Sequence, residues 1–321
     1  MKVLALHGYG IKLGAAGGAL IVKNKEGTRK VPLGEVDMVV LLSSGISVTS
    51  RALRAMVASS IELVVMDSRG EPVGILYHSH YTRTTESRRA QYLAYAEGRD
   101  LLYAKSFARC KLLSQASTLW RLSTDFGEKT GAEVAEKIES MAEGLEGARD
   151  RKEIMGIEAR AANEYWSALS LLLPQELGFD GRDQDATDPM NASLNYGYAL
   201  LYSIAWHALV IAGLDPYAGF LHTDRSGKPV LTFDYVEMWR APLVDEALVR
   251  AIAKGWRPRM RNGLLEREDR AKIVELVKGR LRAACPGEGK SFEQAIKSYA
   301  LSLSSAVRRS SPYRCYEGGR R

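Results

Sequence analysis

Residues 219–245, GFLHTDRSGKPVLTFDYVEMWRAPLVD, set one histidine ahead of a run of acids: Asp224, Asp234, Glu237 and Asp245. The chain has only five histidines, and His222 follows an apolar approach, Gly219-Phe220-Leu221. Asp234 and Glu237 are three apart on an expected helix, so both carboxylates share one face a single turn apart. A loop through Ser226-Gly227-Lys228-Pro229 can fold His222 back toward them. One imidazole with two or three carboxylates is an oxygen-rich donor set, better suited to Mg²⁺ or Mn²⁺ than to zinc. The plainer alternative is a histidine that caps a loop or pairs with an acid.

A second acid stands where an acid is costly. In EIMGIEARAANEYWSALSLLL (153–173), Ile154, Ile157, Ala161, Tyr165, Leu169 and Leu172 form one apolar helical stripe, and Glu158 falls inside it. An ionised carboxylate there needs a cation, a salt bridge, water at the stripe's edge or a proton. Asn191, Asn195 and Tyr198 are spaced four and three apart on one helix face. They are candidate substrate or supporting contacts, with Tyr198 equally plausible as core. Arg240, one turn beyond Glu237, is a candidate phosphate contact or a surface ion pair. KGWRPRMRN (254–262) concentrates Arg257, Arg259 and Arg261 around Trp256 and reads as a DNA backbone track or as a solvated loop.

The elements that must position these residues fall into two blocks. Residues 1–78 read as strands: ALIVKN, DMVVLL and IELVVMD are short, β-branched and bounded by turn sequences. One helix, SRALRAMVAS, interrupts them. The glycines at 8, 10, 14, 17 and 18 read as turn and hairpin positions, because no strand–loop–helix spacing and no G-K-[ST] accompanies them. Residues 79–87 read as a polar linker. Helical periodicity then dominates: 88–122, 131–147, 150–173, 188–213, 230–254, 266–284 and 291–309. Asp188 and Pro189 form a cap and a first-turn proline for the fourth of these. Residues 310–321 read as a disordered basic tail. The expected fold class is α+β, a small N-terminal β domain followed by a large all-α domain.

Composition narrows the partners. The 321 residues carry 45 Lys and Arg against 38 Asp and Glu, a net charge of +7 that leans toward an anionic partner. Cys110, Cys285 and Cys315 are odd in number and widely spaced, which supports neither a disulfide framework nor a zinc ribbon. The apolar stretch at 198–214 is short and contains His207, so it reads as a core helix rather than a membrane span. His7 and Lys12 break the only signal-like run. No membrane partner is expected, and the protein reads as cytoplasmic.

Taken in order, the motifs resemble a family. GISVTSRAL, VVMDSRGEPVG, MGIEARAANEYW, DPMNASLNYGYALLYS, AGLDPYAGFLHTD and LTFDYVEMWRAPLVD run along nearly the whole chain. The chain is similar to the CRISPR-associated endonuclease and integrase of spacer acquisition, the first-numbered Cas protein family. The resemblance implies metal ligands at Glu158, His222 and Glu237, with Asp234 as an additional acidic position that could accept a proton or orient a water. It implies Mg²⁺ or Mn²⁺ as cofactor, an N-terminal β-sandwich, and a homodimer formed through it. It further implies a complex with the small second-numbered Cas protein, and double-stranded DNA, protospacer and CRISPR repeat, as substrate. The implied reaction is attack of a 3′-hydroxyl on a repeat phosphodiester. A mobile-element integrase and a catalytically inactive DNA-binding scaffold are the rival readings.

Overall fold

The computed structural model describes residues 2–67, 72–76, 85–185 and 188–319. The N-terminal block contains β1 (Val3–Leu6), β2 (Ile11–Ala16), β3 (Ala19–Asn24), β4 (Gly27–Pro32), β5 (Met38–Leu41), β6 (Ile46–Val48), α1 (Ser50–Ala58), β7 (Glu62–Met66) and β8 (Pro72–Leu76). They make two four-stranded sheets, in the orders β1-β5-β7-β8 and β4-β3-β2-β6. The β2–β3 connection is tight because Gly17 and Gly18 both take positive φ, 56° and 74°, which a two-residue hairpin demands.

β5 explains how the two blocks join. All four of its residues are buried. Its alternating faces separate cleanly: Val39 and Leu41 pack with Leu13, Leu20, Ala52 and Met56 inside the β block, whereas Met38 and Val40 join the helical core. A strand covered on both faces reads as a continuous apolar run, as MVVL does. Beneath the same sheet, Glu62 on β7 and His207 stand 2.6 Å apart and buried. They tie the blocks through one polar pair.

The helical block comprises α2 (Thr85–Ala96), α3 (Asp100–Phe126), α4 (Lys129–Gly144), α5 (Arg151–Ser170), α6 (Pro189–Ile211), α7 (Val230–Arg240), α8 (Glu246–Ala253), α9 (Arg267–Arg282) and α10 (Phe292–Arg308). The Asp188 carboxylate accepts from the Asn191 N–H at 2.8 Å, and Pro189 fills the first turn of α6, as the sequence implies. A π-helical turn, Ala241–Asp245, separates α7 from α8. Pro242 lies in it and has no N–H to continue the α-helical ladder. A short hairpin, β9 (Met260–Arg261) and β10 (Leu264–Leu265), precedes α9.

Three expectations are corrected. Of the linker expected at 79–87, positions 79–84 lie outside the described residues, but 85–87 already belong to α2. Ser87 is buried there, with its hydroxyl 2.9 Å from that of Ser304. Of the tail expected at 310–321, the described residues 310–319 are packed against the helical block. Tyr313, Cys315 and Tyr316 are buried, and Tyr316 stacks on Trp239 with centroids 4.9 Å apart and planes 9° apart. Finally, Cys110 and Cys315 form a disulfide across 205 positions of sequence, with Cα atoms 6.1 Å apart. Sequence spacing cannot reveal a bridge between partners so distant; only the docking of the tail against α3 brings them together.

Candidate active site

The site is assembled from α3, α5, α7 and the loop before α7. Asp234 is its keystone. It is fully buried, and its Oδ2 accepts from the backbone N–H groups of Phe220 (2.6 Å) and Leu221 (2.9 Å). Its Oδ1 accepts from the His222 N–H at 3.0 Å and lies 2.6 Å from His222 Nδ1. A buried carboxylate is tolerable when it is hydrogen-bonded this fully. Gly219 is required for the approach: a Cβ there would lie 2.4 Å from Val230 Cγ1 and 3.0 Å from Asp234 Oδ2. These contacts give Asp234 a positioning role beside the expected one of accepting a proton or orienting a water. Both of its oxygens are engaged in pinning the loop and orienting the imidazole.

With Nδ1 facing Asp234, His222 has Nε2 left to face a ligand, the arrangement usual for metal-binding histidine. Burial alone would lower the His222 pKa, but the Asp234 hydrogen bond and the charges of Asp234, Glu237 and Glu158 outweigh it and raise it. Glu237 is almost fully buried. Burial disfavours its charge, yet Arg240, Lys111 and His222 together hold its carboxyl down at about 2. Its Oε1 pairs with Arg240 at 2.5 Å. Its Oε2 lies 2.9 Å from the Lys111 ammonium but has no hydrogen-bond partner of proper geometry. Glu158, half-buried on α5, is bonded to the same ammonium. The stripe acid has thus found a salt bridge, to a lysine of α3.

Among the described residues, no three His, Cys, Asp or Glu side chains stand close enough together to share an ion as placed. Lys111 lies between Glu158 and Glu237. The donor chemistry nevertheless fits a hard divalent ion: two carboxylates, one imidazole nitrogen held by an outer carboxylate, and a buried carboxylate oxygen without a directed donor.

The remaining candidates are less directly placed. Asn191 is buried, and its amide is engaged by Arg182, the Asp183 N–H, the Gly181 carbonyl and Asp188, so it clips the loop before α6. Asn195 accepts from Arg182 at 2.5 Å and donates to the Gln184 carbonyl. Tyr198 is core: its hydroxyl donates to buried Asp245 at 2.6 Å, beside that of Tyr165 at 2.9 Å. Gly197 permits this, since a Cβ there would lie 2.5 Å from Val244 Cγ1 of the π-helical turn. Burial pushes the Asp245 pKa up, against the lowering effect of both tyrosine hydrogen bonds. Arg240 is not a surface cation. It lies over the rings of Tyr198 (4.9 Å) and Tyr202 (5.3 Å) and is bonded to the Tyr202 hydroxyl and to Glu237.

Arg257 pairs with Glu176 at 2.9 Å, and Arg259 with Glu266, Glu268 and Asp269. The basic run behaves largely as an ion-paired loop, with Arg261 exposed at the hairpin. Sequence reasoning missed Lys111, Tyr202 and the role of Asp245. The signal for Lys111 was present: a charge flanked by buried Cys110 and Leu112, the same anomaly that marked Glu158.

The family model described as CRISPR associated protein Cas1 matches residues 4–278. The CRISPR-associated endonuclease Cas1 2 of Pyrobaculum aerophilum is 38% identical over 304 residues, covering 95% of this chain and 98% of that protein. A casposase bound to integration product superposes with a TM-score of 0.85 at 23% identity, over 99% of this chain and 93% of that one. A chain of a Cas6-RT-Cas1–Cas2 complex gives 0.81 at 21% identity, covering 98% of this chain and 36% of that one. No described helix is long and apolar enough to cross a membrane. With a matched model over most of its length and a relative at this identity over nearly all of it, the chain belongs to the Cas1 family.

Proposed function

We propose that this protein is a divalent-metal-dependent DNA endonuclease and integrase of CRISPR adaptation, joining the 3′-hydroxyl of a short DNA duplex to a phosphodiester of the CRISPR repeat. The observation that supports the reading is that Glu158 and Glu237 share one shielded ammonium, Lys111, while the charges of both act on an Asp234-oriented His222. Glu158, Glu237 and His222 Nε2 would hold Mg²⁺ or Mn²⁺. A bound ion supplies charge for the phosphoryl oxygen and lowers the pKa of the attacking hydroxyl. Asp234 keeps Nδ1 occupied so that Nε2 points inward. Arg240, held over two tyrosine rings, fixes Glu237. Water in place of the 3′-hydroxyl gives hydrolysis from the same arrangement.

We further read the N-terminal block as a sandwich of its two sheets through which a homodimer forms, and Cas2 as the assembly partner. The relative at 38% identity is CRISPR-associated, which favours the repeat as target over a mobile-element end; the casposase likeness keeps that second reading in view. The test is incubation with a labelled 3′-hydroxyl duplex and a supercoiled repeat plasmid, with and without Cas2. Joined product mapping to the repeat supports the proposal; joining without preference for the repeat favours the mobile-element reading; none under any divalent metal refutes both.

A further inference from the structure

Among the described residues at the site, Lys111 is a charged group without a role in that scheme. Its ammonium contacts Glu158 and stands 2.9 Å from Glu237 Oε2. Both side chains are shielded, Glu158 12% and Glu237 3% exposed, and Lys111 itself only 14%. Two carboxylates this close in a low-dielectric setting repel unless a cation lies between them. Arg240 cannot do so for both: it is fixed by two rings and reaches only Glu237 Oε1. Lys111 therefore sits where the shared cation belongs.

We propose that Lys111 is an exchangeable internal cation: its ammonium holds the position between Glu158 and Glu237 when no metal is bound, and withdraws from it when an ion is taken up. This rests on the metal-dependent reading above. Three features fit a movable group at this point. Lysine carries its charge on a flexible four-carbon stem, unlike the planar fork of arginine. The contact to Glu237 Oε2 is a single ion pair at 2.9 Å rather than a bidentate clamp, so one contact is lost on leaving. The backbone, by contrast, is anchored one residue away by the Cys110–Cys315 disulfide. The side chain is the part that moves.

The chemical consequence is that the two glutamates stay gathered and charged in the empty enzyme. The ligand set is thereby kept assembled, at the expense of competition with the incoming ion. Lys111 is a positioning residue in this scheme, and its test does not depend on turnover.

Mn²⁺ binding is followed by electron paramagnetic resonance titration for the wild type, Lys111→Met and His222→Ala. In parallel, lysine acylation of the DNA-free wild-type protein and of His222→Ala is mapped by mass spectrometry with and without Mn²⁺. The expected results are Mn²⁺ affinity at least about tenfold tighter in Lys111→Met, as loss of a like charge a few ångströms away requires, and acylation of Lys111 that rises when Mn²⁺ is added. His222→Ala shows no Mn²⁺-dependent rise. Wild-type or weaker affinity in a folded Lys111→Met overturns the proposal, as does Lys111 acylation unchanged by bound Mn²⁺. The acylation arm decides alone if Lys111→Met does not fold. Absence of Mn²⁺ binding in the wild type refutes the metal reading itself, and the exchange with it.

Discussion

Asp234→Asn separates a positioning role from a proton-transfer role, because it preserves shape while altering hydrogen bonding. If the amide oxygen replaces Oδ2, the Phe220 and Leu221 N–H groups keep their acceptor. The amide NH₂ then replaces Oδ1 and faces two groups that both pointed at an acceptor, the His222 N–H and Nδ1. The half-buried His222 N–H loses its partner, which costs up to about 1–3 kcal/mol. The charge-assisted contact to the ring is lost as well. The opposite amide orientation strands two backbone N–H groups instead and is worse. The NH₂ can donate to Nδ1 only if the ring proton moves to Nε2, the nitrogen that would face the metal. A wrong tautomer blocks ligation without moving the ring. Disturbing such an outer partner typically lowers metal affinity about 10–100-fold. Denaturant unfolding should therefore show a loss of about 2–3 kcal/mol, with Mn²⁺ affinity reduced by that factor. A variant with wild-type stability and Mn²⁺ affinity but no strand transfer would refute positioning and restore proton transfer.

Further expectations follow from the same contacts. The His222 pKa is raised above its ordinary 6.5 by the three carboxylates, against burial; the resulting stability is complete below about pH 6.5 and is lost as pH rises through the folded value. The stability gap between wild type and His222→Ala should thus be larger near pH 6 than near pH 9, and a pH-independent gap would contradict it. Cys315→Ser should cost about 2–5 kcal/mol. Reductant should lower the calorimetric melting temperature of the wild type but not of the variant; equal melting of all three would mean that no bridge forms. Arg261→Ala should lower the salt dependence of duplex binding by about one phosphate contact's slope, roughly 0.9, measured by fluorescence anisotropy. Arg259→Ala, whose guanidinium is tied to three acids, should change the slope less, and the reverse order would restore the basic run as a backbone track.

Periodicity carried most of the fold. Strands at 19–24, 37–42 and 61–67 and seven helical stretches were legible because burial of one face writes a period of two or of about 3.6 into the sequence, and burial of both faces writes the continuous apolar run at 37–42. The break at 97–99 between α2 and α3 was not, since the apolar pattern runs across it. The packed tail was hidden because an aperiodic Gly- and Arg-rich segment looks solvated; Tyr313, Cys315 and Tyr316 were the only clue. At the site, Glu158 was found because charge on an apolar face needs an explanation, and Glu237 through its one-turn spacing from Asp234 and the family resemblance. What the sequence withheld was division of labour. Asp234 and Glu237 are alike on a helical wheel, yet one faces the 219–222 backbone and the other Lys111 and Arg240. Only the path of that loop distinguishes them.

The central claim is that Glu158, His222 and Glu237 form a divalent-metal site. The most direct measurement is anomalous diffraction at the manganese edge from crystals soaked in Mn²⁺ at neutral pH. One peak within bonding distance of a Glu158 oxygen, His222 Nε2 and Glu237 Oε2, with the Lys111 ammonium displaced, is the predicted result. Soaked crystals with no peak there, and with Lys111 still bridging the two glutamates, would contradict it.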